Sequence, residues 1–194
     1  MKQKLCMIIR YITVPPMIAS AFLLTVQLTR PEVFGEIYRF FCCLVFIGLF
    51  PLLAYPLQRF FPHFRDKGRL GQRSLAILFS VAGYLLACLC ACLTDAPVGM
   101  WFVIFSYMAS GLCIAVSNAV FHFKISGHAC GVVGPAAIGF CFGMYIYAAI
   151  GAVLTVLVFY ASRMTGRHTV WQLIGGSIAP IIIVFLLGLT TGLC

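Results

Sequence analysis

Residues 129–161 read ACGVVGPAAIGFCFGMYIYAAIGAVLTVLVFYA, without one charged side chain. As a single helix this stretch would be about 50 Å long, whereas the hydrocarbon core of a bilayer is about 30 Å thick. It must therefore turn once, and we expect the turn near Gly143–Tyr147. The stretch predicts two consecutive membrane spans.

The composition of the whole chain is that of an integral membrane protein. Of its 194 residues, 63% are hydrophobic and 9% are charged, and the mean hydropathy is +1.09. A soluble domain carries roughly 25% charged residues, so this composition excludes a water-soluble globule, a disordered chain and a secreted disulfide scaffold. The basic residues interrupt apolar runs instead of covering a hydrated surface, which argues against nucleic acid as a partner.

The other apolar runs complete an all-α, polytopic bundle of about six or seven transmembrane helices, because each crossing needs about 20 apolar residues. We expect one integral membrane domain over residues 1–194. Besides the two spans within residues 129–161, the expected spans are Tyr11–Val26, Phe40–Leu57, Leu75–Leu93, Val98–Ser117 and Val170–Leu189.

Carboxylate side chains are scarce, since Glu32, Glu36, Asp66 and Asp95 are the only four in the chain. Four scattered carboxylates cannot build a two-metal site, which needs several oxygen ligands close together. We therefore expect neither a metal nor another cofactor.

Cysteine is frequent, with ten residues. We interpret most of them as small hydrophobic side chains, because they lie inside apolar runs. The residues interpreted in this way are Cys42, Cys43, Cys88, Cys90, Cys92, Cys113 and Cys141.

Counting the spans places three polar segments, residues 58–74, 118–128 and 162–168, on the side of the N-terminus. That side holds eleven of the 13 Lys and Arg residues, all except Arg30 and Arg39. The positive-inside rule assigns such a side to the cytoplasm. We therefore expect a multi-pass protein of the cell (inner) membrane whose polar segments face the cytoplasm. The same side collects all four histidines, namely His63, His122, His128 and His168.

The three polar segments could together hold a phosphate or diphosphate, because several Arg and Lys side chains converge there and arginine offers forked donors. Ser126 and Gly127 precede a helical run, and the backbone N–H groups at a helix start favour a bound anion. His128 lies in the first turn of that run, and His168 opens the last span in the same way. Two histidines beside a phosphate allow metal-free ester cleavage, in which one attacks phosphorus and the other protonates the leaving oxygen.

The order of these segments resembles the type 2 phosphatidic acid phosphatase superfamily over about residues 58–176, which we take as the motif-bearing core. The family pattern is Lys, six residues and Arg-Pro; then Pro-Ser-Gly-His; then Ser-Arg, five residues, His, three residues and Asp. The matching segments here are KGRLGQRS at residues 67–74, KISGH at residues 124–128 and SRMTGRHTVWQ at residues 162–172.

The resemblance implies a role for each matching residue. His168 would be the nucleophile and His128 the general acid. The phosphate would be bound by Lys67, Arg73, Ser126, Gly127 and Arg163. We expect two further cations at the same phosphate, Lys124 and Arg167.

The chain departs from the family pattern in its spacings. The interval from Lys67 to Arg73 is one residue short, and Ser74 replaces the proline that follows. The interval from Arg163 to His168 is also one residue short, so Arg167 or a distorted helix would do the work of the family arginine.

Gln172 is the remaining departure, because it stands where the family has an aspartate that orients the nucleophilic histidine. His168 and Gln172 are four residues apart and lie one above the other on a helix. The amide oxygen of Gln172 can therefore accept the imidazole N–H and fix its tautomer. Gln172 brings no negative charge, so we expect a slower or differently tuned enzyme.

The function that we expect is metal-independent hydrolysis of a phosphate monoester or diphosphate on a lipid through a phosphohistidine. The substrate class includes phosphatidate, phosphatidylglycerol phosphate and polyprenyl phosphates or diphosphates, and the bilayer and its lipids are the expected partners. Two alternatives stay open, a transporter that binds an anion or lipid without hydrolysis and a catalytically inactive relative. Nothing in the sequence indicates the oligomeric state.

Overall fold

The computed structural model of the protein describes residues 2–120 and 124–194, so that His122 lies outside the described residues. Every regular element within these ranges is helical, which confirms the all-α class. The longer helices are α1 (Lys2–Ile12), α2 (Pro15–Thr29), α3 (Ile37–Phe60), α4 (Gly68–Leu93), α5 (Val98–Ala119), α6 (Gly127–Cys141), α7 (Tyr145–Met164) and α8 (Val170–Thr191). Short helical segments at Pro31–Val33 and Pro62–Arg65 lie between them.

Within the described ranges, five helices are long and apolar enough to cross a membrane: α3, α4, α5, α7 and α8. Helices α1 and α2 pass the same test as a pair bent by 51°, which raises the count to six. Helix α6 has 15 residues and is about 22 Å long, shorter than the hydrocarbon core. The expected multi-pass bundle is therefore confirmed, but the fifth expected span is a short helix.

The long apolar stretch turns between α6 and α7, within the interval that the sequence predicts. Gly143 has a φ of +71°, a left-handed conformation that glycine adopts without the clash of a Cβ atom. The N–H of Met144 donates to the carbonyl oxygen of Gly139 at 2.8 Å, and α7 begins at Tyr145.

The chain forms two compact units. Unit 1 consists of Met1–Ile18 and Phe105–Cys194, and unit 2 consists of Ala19–Ile104. In unit 1, α6 packs against both α7 and α8, and α1 packs against α7. Most of α6 is buried, with Ala129, Val132 and Ile138 at most 1% exposed, so α6 is the centre of this unit.

Contacts at the two ends of unit 1 show that α6 and α8 run parallel. At one end the N–H of Ser126 donates to the carbonyl oxygen of Gln172 at 2.9 Å. At the other end a disulfide joins Cys141, the last residue of α6, to Cys194, which follows α8. The interpretation of Cys141 as a free hydrophobic thiol is therefore wrong. The apolar residues around Cys141 do not indicate the disulfide, because Cys194 is far away in the sequence and follows a different helix.

In unit 2, α3 and α4 approach closely at a glycine, which has no side chain. A Cβ atom at Gly83 of α4 would overlap the carbonyl oxygen of Phe46 in α3. At the end of α4, the carbonyl oxygen of Thr94 accepts a hydrogen bond of 2.5 Å from Nη2 of Arg39. These contacts hold α3 and α4 together.

Candidate functional site

The segment KISGH leads into α6 through a capped helix start. Ser126 is fully buried, and its Oγ accepts the N–H of Ala129 at 3.3 Å. Serine is favourable at this position because its oxygen satisfies an N–H that the helix leaves unpaired. The N–H of Ile125 donates to Oδ1 of Asn118 at 2.9 Å, which anchors the approach to the helix. The side chain of Ser126 thus serves the helix, and its expected phosphate contact stays a prediction.

Gly127, the first residue of α6, borders open space. A Cβ atom at this position would meet nothing within 4 Å. Lys124 lies three residues earlier and is exposed. The start of α6 therefore combines a positive helix end, an accessible backbone and a nearby cation, which together favour an anion.

His128 is hydrogen-bonded to Thr13, which follows α1. Nε2 of His128 lies 2.9 Å from Oγ1 of Thr13, and that oxygen is also 2.7 Å from the carbonyl oxygen of Ile9. Two oxygens at that distance need a proton between them, and only the hydroxyl can supply it. Thr13 therefore donates to Ile9 and accepts from His128. The proton of the neutral imidazole is on Nε2, and Nδ1 is the basic nitrogen.

The charge state of His128 is set by its surroundings. It lies at the start of α6, outside the helices that are long enough to span a membrane. Burial lowers its pKa most, and electrostatic interactions with Arg10 and His168 lower it further, to about 4. His128 is therefore neutral at pH 7 while no anion is bound.

His168 precedes α8 and is oriented by Gln172. Its Nδ1 lies 3.2 Å from Oε1 of Gln172, and the same oxygen accepts the N–H of Thr169 at 3.2 Å. Thr169 in turn accepts the N–H of Gln172 through its hydroxyl, which completes a capping box. Because an amide oxygen only accepts, the proton of His168 is on Nδ1 and the lone pair is on Nε2.

The segments that carry the two histidines meet at one end of unit 1. Besides the hydrogen bond from Ser126 to Gln172, Gly176 of α8 allows close packing, since a Cβ atom there would overlap the carbonyl oxygen of Ser126. His168 is close enough to His128 to contribute to the lowered pKa of that ring. The two histidines therefore lie at the same end, as the hypothesis of a shared site requires.

The arginines of the third segment lie around the end of α7. Arg163 is exposed in the last turn of that helix. A turn with left-handed Gly166 follows, in which the N–H of Arg167 donates to the carbonyl oxygen of Ser162 at 3.0 Å. Arg167 is exposed and interacts electrostatically with Arg10.

Lys67 and Arg73, the cations of the first segment, belong to unit 2. Lys67 is exposed just before α4, with its Nζ 2.8 Å from Nε2 of His63. Arg73 is half-buried in the second turn of the same helix. The loop before α4 is closed by Gln58, whose Nε2 donates to the carbonyl oxygen of Gly68 at 2.6 Å. That these two cations join the histidines stays a prediction.

Arg10 and Thr13 contact the histidine-bearing segments, and the sequence did not indicate either contact. One local feature pointed to this place, because consecutive prolines at Pro15 and Pro16 favour a helix break just before them. In the structure α1 ends at Ile12 and α2 begins at Pro15, which leaves Thr13 outside the regular helices.

Unit 1 is basic and carries no carboxylate side chain, because all four Asp and Glu residues of the chain lie in unit 2. The starts of α6 and α8 lie together at its histidine end, so two helix dipoles add positive potential there. A concentration of positive charge without internal counter-charge favours a bound anion. The cations of unit 1 are Lys2, Lys4, Arg10, Lys124, Arg163 and Arg167.

Comparisons with known proteins indicate neither a family nor a function for this chain. No family model matches the chain, and no curated protein or solved structure matches it either. The resemblance to the type 2 phosphatidic acid phosphatase superfamily therefore rests on the three segments at residues 67–74, 124–128 and 162–172.

Proposed function

We propose that this protein is an integral membrane phosphatase that hydrolyses a phosphate monoester or diphosphate on a lipid. The observation that carries the proposal is the pairing of His128 and His168 at one end of unit 1. Each ring has its tautomer set by a separate hydrogen-bond acceptor, and the surrounding charge is positive.

His168 is the nucleophile in this proposal. Its Nε2 lone pair attacks phosphorus, a P–N bond forms and the P–O bond to the lipid breaks. The ring gains positive charge in this step, and the hydrogen bond from Nδ1 to Oε1 of Gln172 stabilises it. The cations around the phosphate stabilise the charge on its equatorial oxygens.

His128 is the general acid. It is neutral in the empty site, and a bound phosphate dianion raises its pKa again because opposite charge favours the protonated ring. The protonated ring then gives a proton to the leaving lipid oxygen. In the second half-reaction it takes a proton from the water that cleaves the P–N bond, and phosphate is released.

The substrate class follows from the apolar body of the protein. A lipid tail can remain in the bilayer while its head group enters the basic site, so the candidates are phosphatidate, phosphatidylglycerol phosphate and polyprenyl phosphates or diphosphates. The family resemblance implies Lys67 and Arg73 as two further phosphate-binding cations. The chemistry assigns no step to a metal, since both proton transfers are carried by histidine.

Two arguments favour a site on the cytoplasmic side of the cell (inner) membrane. The positive-inside rule assigns the basic, histidine-bearing side to the cytoplasm. The disulfide between Cys141 and Cys194 lies at the other end of unit 1, and structural disulfides persist where the surroundings are oxidising, away from the cytoplasm.

A second candidate function is binding of a lipid phosphate without hydrolysis. The observation that favours it is Gln172, whose neutral amide contacts His168 where the family pattern has a carboxylate. A neutral acceptor orients the ring but stabilises an imidazolium less than a carboxylate does.

Phosphate release separates the two functions. The purified full-length chain in detergent, with a chelator present, is given a panel of lipid phosphates. We expect the wild type to release phosphate and to form an acid-labile phosphoenzyme, and His168→Asn to lose both. His128→Asn should still accept phosphate from a substrate with a good leaving group. Wild-type protein that releases nothing from any lipid overturns the phosphatase, and activity that survives in both variants overturns the site.

A further inference from the structure

We propose that Arg10, which lies on α1 and outside all three motif segments, is a phosphate ligand of the histidine site. The inference rests on the proposed function for the identity of the site, but it requires only that phosphate binds there.

Arg10 is held at the histidine end of unit 1. Its Nη1 donates to Oγ of Ser162 at 2.6 Å, and Ser162 is completely buried at the end of α7. Three residues after Arg10, the hydroxyl of Thr13 accepts from His128. The end of α1 and the residue that follows it therefore contact both segments that bear the histidines, Arg10 through Ser162 and Thr13 through His128.

The electrostatic surroundings of Arg10 favour a bound anion. Its charge repels the charge of Arg167 and acts on the ring of His128. Unit 1 supplies no carboxylate side chain to balance it. A half-buried cation among other cations is costly unless an anion lies between them, and the guanidinium has five N–H donors, of which Ser162 needs one.

Arg10 can also replace the phosphate-binding arginine that the family pattern has in the third segment. The family pattern expects a phosphate-binding arginine at the position of Arg163, but that side chain is exposed in the last turn of α7. The neighbouring Ser162 is buried and holds Arg10. A planar, forked guanidinium thus reaches the histidine site from α1.

Inorganic phosphate is the probe for this inference. Its affinity for the full-length chain in detergent is measured by ³¹P NMR titration. We expect Arg10→Gln to raise the Kd by about tenfold, the loss of one charge-assisted hydrogen bond, and Arg10→Lys to raise it by about threefold because lysine keeps the charge but not the fork. The matched control is Arg59→Gln, an arginine of unit 2 that stacks on Phe60 at 4.7 Å, and it should leave the Kd unchanged.

Ser162→Ala distinguishes a ligand from a mere anchor between α1 and α7. It removes the anchoring hydrogen bond but keeps the guanidinium, so it should lower the Tm while changing the phosphate Kd less than twofold. If Arg10 is only an anchor, Arg10→Gln lowers the Tm without changing the phosphate affinity, which overturns the inference. Should Arg10→Gln fail to fold, an unchanged Kd in Arg10→Lys overturns it equally.

The phosphate-ligand inference and the proposed phosphatase can fail separately. A wild type that binds phosphate through Arg10 but hydrolyses no lipid overturns the phosphatase and supports the ligand. A wild type that hydrolyses lipid phosphate while Arg10→Gln keeps full phosphate affinity overturns the ligand alone. Absence of phosphate binding to the wild type at millimolar concentration also overturns it.

Discussion

Nε2 of His128 donates a hydrogen bond of 2.9 Å to the hydroxyl of Thr13, a residue that lies 115 positions earlier in the chain. The contact joins the end of the first helix to the start of α6. It also fixes which nitrogen of the ring carries the proton. Thr13 therefore holds the ring of His128, and in the proposed phosphatase it would be a positioning residue.

Thr13→Val should release the ring of His128 at almost unchanged volume. We expect the Nδ1–H tautomer to become populated and kcat to fall by about tenfold, the size of one lost hydrogen bond, with little change in KM. ¹⁵N NMR of the imidazole reports the tautomer, and Thr13→Ser should restore the wild-type spectrum. An unchanged tautomer in Thr13→Val would show that the hydroxyl does not set it.

Gln172→Asp should accelerate hydrolysis. In the proposed mechanism, a carboxylate in place of the amide stabilises the imidazolium that forms when His168 attacks. Gln172→Ala removes the acceptor and should be slower than wild type. The initial rate of phosphate release from one lipid phosphate compares the three proteins. Unchanged or lower activity in Gln172→Asp counts against the idea that the missing negative charge slows the enzyme, and an unchanged rate in Gln172→Ala counts against the orienting role.

Thermal stability should depend on pH through His128. Its pKa is about 4 in the folded protein against 6.5 for a free imidazole, so between these values the unfolded chain binds the proton and the folded one does not. Stability is therefore full above about pH 6.5 and is lost as the pH falls toward 4. The groups that face the ring are Thr13, Arg10 and His168.

A Tm series between pH 4 and 7.5 measures this dependence. His128→Asn should flatten the curve, because asparagine does not titrate. In Arg10→Gln the acid-induced loss of stability should span a narrower pH range, because removal of a positive charge raises the pKa of His128. Identical slopes in wild type and His128→Asn would assign the acid sensitivity to other groups.

Gly176→Ala should damage both stability and activity. The added Cβ atom would overlap the carbonyl oxygen of Ser126, so the start of α6 must move away from α8. We expect a loss of about 1–3 kcal/mol in the free energy of unfolding and reduced phosphate release. Gly134→Ala is the matched control in the same unit, where the nearest atom, Cβ of Pro180, lies at an ordinary 3.5 Å. Equal stability of the two variants would contradict the close packing.

Removal of the disulfide should lower stability and leave catalysis intact. The bond closes a separation of 53 residues, and its loss relaxes a constraint on the unfolded chain worth at most about 4 kcal/mol. It lies at the end of unit 1 away from the histidines, so Cys141→Ser with Cys194→Ser should lower the Tm but keep kcat at low temperature. Cys113→Ser is the control, since Cys113 is a free thiol. A large loss of kcat would connect the disulfide to the site.

Local patterns in the sequence were enough for the helical class, the turn at Gly143 and the contact between His168 and Gln172. Each depends on hydropathy or on a spacing within one helix, which the sequence states directly. The role of Ser126 as a buried helix cap was harder to see, because a capping serine and a ligand serine occupy the same position in a motif.

Tertiary contacts between distant segments were not predictable in this way. The hydrogen bonds from Arg10 to Ser162 and from His128 to Thr13 cross more than a hundred residues and leave no periodic trace. The bond between Cys141 and Cys194 was missed for the same reason. A single sequence shows which side chains reach one end of a bundle, but not which of them touch.

The close packing of Gly176 against Ser126 also sets a depth. Ser126 contacts Gln172 and Gly176, which lie two and six residues into α8, so α6 begins about 3–9 Å inward from the start of its neighbour. The first turn of α6, with His128, is thus recessed below the rim of α8. In the proposed phosphatase, such a recess would shorten the distance that a lipid head group must rise out of its leaflet before it reaches His128.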